Sequence, residues 1–127
     1  MADTYTIPDH RDLAPNERAL LEWLLENGSP EAAAYKAQLA AVRVVSRCSC
    51  GCPSIDLAVG DTNFRTVGPT TLLCDAHWHS PEGISLMVTL HAREGALSEL
   101  EVITDEDVDV CTLPTPTMLE PIRWDAT

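Results

Sequence analysis

Residues 84–104 read Ile84-Ser85-Leu86-Met87-Val88-Thr89-Leu90-His91-Ala92-Arg93-Glu94-Gly95-Ala96-Leu97-Ser98-Glu99-Leu100-Glu101-Val102-Ile103-Thr104. In the first half Leu86, Val88, Leu90 and Ala92 alternate with Met87, Thr89 and His91. A period of two puts the first set on one face of a strand and the second on the other. Arg93-Glu94-Gly95 is a turn, and Leu97 to Thr104 is read as the returning strand. Antiparallel sheet is therefore the core element of the fold.

Working back from this hairpin, further strands are expected over 70–79, 54–59 and 42–48. They are separated by Ser80-Pro81-Glu82-Gly83, by Gly60-Asp61-Thr62-Asn63 and by Ser49-Cys50-Gly51-Cys52-Pro53, all turn-forming stretches. Before residue 42 the period is helical. Pro15 suits the first position of a helix and Glu17 its first turn, near the positive end of the dipole. Leu20, Leu21, Leu24 and Leu25 make one apolar stripe, and Asn27-Gly28 is a stop. Ser29-Pro30-Glu31 starts a second helix with Ser29 as its cap, whose apolar side runs Ala32, Tyr35, Leu39 and Val42.

The expected architecture is one α+β domain. An N-terminal helical hairpin, residues 15–42, packs on an antiparallel sheet of about five strands built from 42–104. Residues 1–13 read as an extended arm. Residues 105–127, with Pro114, Pro116 and Pro121, read as an irregular or edge tail.

Composition restricts the function. The chain has 127 residues, 45% of them hydrophobic, enough for an ordinary core. Acidic residues number 20 against 8 basic, a formal charge of −12. Such a balance argues against nucleic acid and anionic membranes, and favours a basic protein or other cationic partner. No apolar run approaches a membrane span, and residues 1–12 lack the basic and apolar segments of a signal peptide. The five cysteines are odd in number, which disfavours a disulfide framework. A cytoplasmic protein is expected.

Two groups of residues carry chemistry. Cys48, Cys50 and Cys52, with Cys74 one hairpin away, offer zinc four soft ligands, and His77 and His79 lie beside Cys74. The C-x-C-x-C spacing differs from the C-x2-C knuckle of common zinc modules, and buried cysteine is also an ordinary small hydrophobe. No cofactor is therefore expected, with zinc on these thiols as the alternative. A thiol activated by His77, His79 or His91 is a third reading, but no base or oxyanion hole marks it. The second group is Glu99, Glu101, Asp105, Glu106, Asp107 and Asp109, a segment without Lys or Arg. It reads either as a solvated edge kept from aggregating by charge, or as a binding face for a basic partner. Asp105, Asp107 and Asp109 imitate a calcium loop, but its glycine and glutamate positions hold Val110 and Pro116. No nucleophile elbow, phosphate loop, dinucleotide fingerprint or H-E-x-x-H occurs, so no enzyme is indicated.

Arg47-Cys48-Ser49-Cys50-Gly51-Cys52-Pro53-Ser54, then Gly95-Ala96-Leu97-Ser98-Glu99-Leu100-Glu101, then Leu113-Pro114, resemble a group of short uncharacterised bacterial proteins. The likeness spans about residues 13–120. It implies no catalytic residue. In size and acidity the chain is similar to immunity proteins that neutralise bacterial toxins, and this analogy implies an inhibitor of a basic toxin or nuclease.

Overall fold

The computed structural model describes residues 6–49, 52–60, 70–104 and 112–121. Strand β1 (Thr6–Asp12) leads into helix α1 (Pro15–Glu26), and a 3-10 helix spans Ala32–Ala40. Strands β2 (Val42–Cys48), β3 (Ile55–Val59), β4 (Thr71–His79), β5 (Ser85–Arg93) and β6 (Ala96–Ile103) follow, and a two-residue β7 (Glu120–Pro121) closes the described chain. The strands form one sheet in the order β1-β2-β3-β6-β5-β4-β7, each antiparallel to its neighbours. The fold is α+β.

The central hairpin follows its sequence pattern. Leu86, Val88, Leu90 and Ala92 are buried and face the helices. Arg93 pairs with Ala96, leaving Glu94-Gly95 as a two-residue turn with φ of 52° and 83°. Two positive φ angles define the turn whose twist matches the flanking strands. A bulge between His91 and Ala92 then lets Leu97 and Leu100 both reach the core. The stripe of Leu20, Leu21, Leu24 and Leu25 is at most 1% exposed and shares one core cluster with Leu73, Leu90 and Leu100.

Four details differ from the sequence expectation. The arm is a strand from Thr6 onward, paired with β2 at the sheet's edge. Pro8 and the charges of Asp9, His10, Arg11 and Asp12 mask it in sequence, yet an edge strand tolerates both. The second helix is 3-10 rather than α. Three residues per turn align Ala32, Tyr35 and Gln38 in one row. Gln38 then donates to the Gly95 carbonyl at 2.7 Å and accepts from the Leu97 N–H at 2.9 Å, fastening the helix to the β5–β6 turn. Ser29 is not its cap: the capping position is Glu31, and the buried Ser29 hydroxyl lacks a hydrogen-bond partner. Finally, β1 and β7 flank the five expected strands, giving seven among the described residues.

The sheet has a seam. β2–β3 is one hairpin and β4–β5–β6 a meander, and the two halves meet where β6 pairs with β3. That ladder contains two register pairs, Ile55 with Leu100 and Asp56 with Glu99. The first faces the core. The second faces away from it and organises the candidate site.

Candidate functional site

Alternation fixes what lies on the face opposite the helices. Across β2, β3, β6 and β5 the register runs Ser46, Asp56, Glu99, His91. In the next row Glu101 pairs with Thr89, and Thr89 with Asp75. The hydrophobic period that buries Leu90 and Leu100 therefore forces a carboxylate-rich patch onto the other side of the same strands.

Contacts within the patch are specific. The Ser46 hydroxyl donates to an Asp56 carboxylate oxygen. His91 Nε2 lies 2.9 Å from the buried Thr89 hydroxyl and 3.7 Å from Glu101 Oε1, while its Nδ1 is 3.4 Å from the Thr70 hydroxyl. Asp75 Oδ1 is buried with no hydrogen-bond partner. Burial, with Glu101 and Asp56 adding repulsion and Arg93 opposing them, pushes the Glu99 carboxyl up to about 7. Burial also lowers the His91 imidazole below its usual value, against the upward pull of Glu101 and Asp75.

Beside this patch is a cleft of about 300 Å³ lined by Arg47, Cys48, Cys52, Asp56, Glu99 and Glu101, among others. Backbone and side chain of Ser54 hold its rim. The Ser54 carbonyl accepts from the Cys48 N–H at 3.2 Å, and its hydroxyl accepts from the Val102 N–H at 2.9 Å and from the Cys52 thiol at 3.3 Å.

The sequence candidates separate in space. Glu99 and Glu101 fall together, but on β6, the fourth strand of seven, so for them the solvated-edge reading does not hold. Asp105, Glu106, Asp107 and Asp109 lie outside the described residues, as does Cys50. Cys48 and Cys52 share the cleft. Cys74 does not join them: it is fully buried on the helix side of β4. β2 and β4 are four strand spacings apart, about 19 Å at the usual ~4.8 Å per strand, too far for one ion to bind Cys74 with Cys48. The zinc set of Cys48, Cys50, Cys52 and Cys74 is thus ruled out as a single site. His77 shares the outer face with Asp75, whereas Cys74 points the other way.

In the sequence His91 stands out only as the wet face of its strand or as one of three histidines that could activate a thiol, and Asp56, Asp75 and Thr89 carry no signal of their own. The alternation of β5 located His91 correctly, but only the β6–β5 register sets it opposite Glu99. No described helix is long and apolar enough to cross a membrane. Compared with protein-family models, curated proteins and solved structures, the chain has no match in any of the three.

Proposed function

We propose that the protein is a non-enzymatic binding protein that receives a basic protein partner at the β3–β6 seam, in the manner of an immunity-type inhibitor of a basic toxin or nuclease. The observation that carries this reading is the convergence of Asp56, Glu99 and Glu101 on one cleft. Carboxylates facing each other across a sheet repel, and a Lys or Arg side chain entering from a partner relieves that repulsion as it binds. The formal charge of −12 adds long-range steering toward such a partner. The acidic stretch continuing through Asp105, Glu106, Asp107 and Asp109 extends the same character along the chain. A cytoplasmic location fits this role.

The test begins with capture of the partner from the native host, followed by association kinetics at two salt concentrations. Glu101→Lys with Asp56→Lys is compared with Glu22→Lys and Glu26→Lys on α1, which change net charge equally. The seam variant is expected to slow association at least tenfold and to weaken its salt dependence, with the helix variant near wild type. Equal effects from both variants reduce the interaction to bulk charge, and an acidic partner defeats the reading outright.

A further inference from the structure

We propose that His91, Glu99 and Glu101 form a divalent-metal site that takes Zn²⁺ through one imidazole nitrogen and one oxygen from each carboxylate. The three side chains stand on neighbouring strands β5 and β6, and their ligand atoms lie within 4.8 Å of one another. His91 Nε2 and Glu101 Oε1 are 3.7 Å apart, too long for a hydrogen bond. It is close to the ~3.4 Å edge of a tetrahedron whose metal–ligand bonds are about 2.1 Å. Small side-chain rotations bring all three atoms onto one ion.

Three further observations fit a cation. On the side of the ring away from Glu101, Nδ1 faces the Thr70 hydroxyl. Donation of Nδ1–H to that oxygen leaves the Nε2 lone pair for the ion, the usual arrangement behind a metal-bound histidine. That lone pair now meets the Thr89 hydroxyl at 2.9 Å, which an incoming ion displaces. Asp75 supplies the second observation: its buried Oδ1 is unpartnered one strand away, across from Thr89. The third is charge: Glu101, Asp56 and Arg93 act on Glu99, an excess of negative charge that a divalent ion corrects. One nitrogen and two oxygens suit zinc better than magnesium or calcium, which take oxygen ligands alone.

Glu99 and Glu101 also line the seam, so metal binding is tested on the chain alone, without a partner. Purified full-length protein is stripped with chelator and titrated with Zn²⁺ by calorimetry, with Mg²⁺ as comparator. Metal content is then measured after gel filtration. One Zn²⁺ per chain is expected, weakened at least tenfold by His91→Gln and by Glu101→Gln. It should persist in a Cys48→Ser, Cys50→Ser, Cys52→Ser triple variant. Circular dichroism identifies a variant that fails to fold, and Co²⁺ substitution provides a second readout on the wild type, with no thiolate charge-transfer band expected. Failure of the wild type to bind Zn²⁺ overturns the site, as does binding that follows the cysteines instead. Neither result touches the seam's affinity for a basic partner, which is measured with chelator present.

Discussion

Asp56 on β3 and Glu99 on β6 stand directly opposite each other where the two halves of the sheet join. Like charges in this position weaken a ladder, and here they fall in the shortest pairing between long strands. The Glu99 carboxyl, pushed up to about 7, marks the consequence. Its folded value exceeds the ordinary 4.5, so Glu99 contributes stability that is complete below about pH 4.5 and is lost as the pH rises through 7. Glu99→Gln keeps the size and removes the charge. It should raise the melting temperature at pH 8 and leave it nearly unchanged at pH 4.5. A full shift of this size corresponds to about 3 kcal/mol, and the exposure that Glu99 retains reduces the expected gain to roughly 1–2 kcal/mol. Thermal melts of both proteins across pH 4.5–8 decide it: a pH-independent difference removes the charge argument.

Arg11 and Glu17 show the opposite sign. Both terminal guanidinium nitrogens of Arg11 donate to the Glu17 carboxylate at 2.8 Å, and the Ala14 N–H donates to the same carboxylate at 2.8 Å. Ala14 has no polar side chain to cap α1, so Glu17 does that work from inside the first turn. Burial pushes its carboxyl up, but the Arg11 and Ala14 hydrogen bonds outweigh burial and hold it below the usual 4.5. Its stabilisation is therefore present above about pH 4.5 and is lost as the pH falls through the depressed value. Arg11→Ala leaves a buried carboxylate with fewer partners and should cost about 1–3 kcal/mol at pH 7. Urea unfolding at pH 7 and pH 3 should show the difference shrinking in acid.

Gly28 ends α1 where the chain passes against β4. An added Cβ would lie 2.3 Å from the Leu73 carbonyl oxygen and 2.8 Å from Cys74 Cβ. The Ser29 N–H donates to that same carbonyl at 2.8 Å, so the chain cannot retreat without losing the bond. Gly28→Ala is expected to destabilise the protein by about 2–3 kcal/mol, read by denaturant midpoint, whereas Gly60→Ala, with open space around it, costs only its backbone strain.

Glu94 occupies the left-handed region at φ 52°, where asparagine is better tolerated. Glu94→Asn should stabilise the β5–β6 hairpin by about 0.5–1 kcal/mol without altering the seam. A lower denaturant midpoint for this variant would contradict the turn geometry.

The elements that the sequence determined are those with a strict period or a covalent peculiarity. Alternation in Leu86–Ala92 specified β5 and both its faces. The leucines of α1, Pro15 at its start and Asn27-Gly28 at its end specified the helix. Pairing was beyond local reading. Asp56 and Glu99 are separated by the whole β4–β5 hairpin in sequence, and no local pattern states that β6 returns to β3 rather than lying at an edge. The same holds for β1, whose Pro8 and charges read as an arm until β2 supplies its hydrogen-bond partners. It holds also for Cys74, which composition groups with Cys48 and Cys52 and which the strand order removes to the far half of the sheet. Period is a property of neighbouring residues and survives in the sequence. Register is a property of distant strands, chosen by which apolar faces can be buried together, and so the site formed by His91, Glu99, Glu101 and Asp56 exists only in the folded chain.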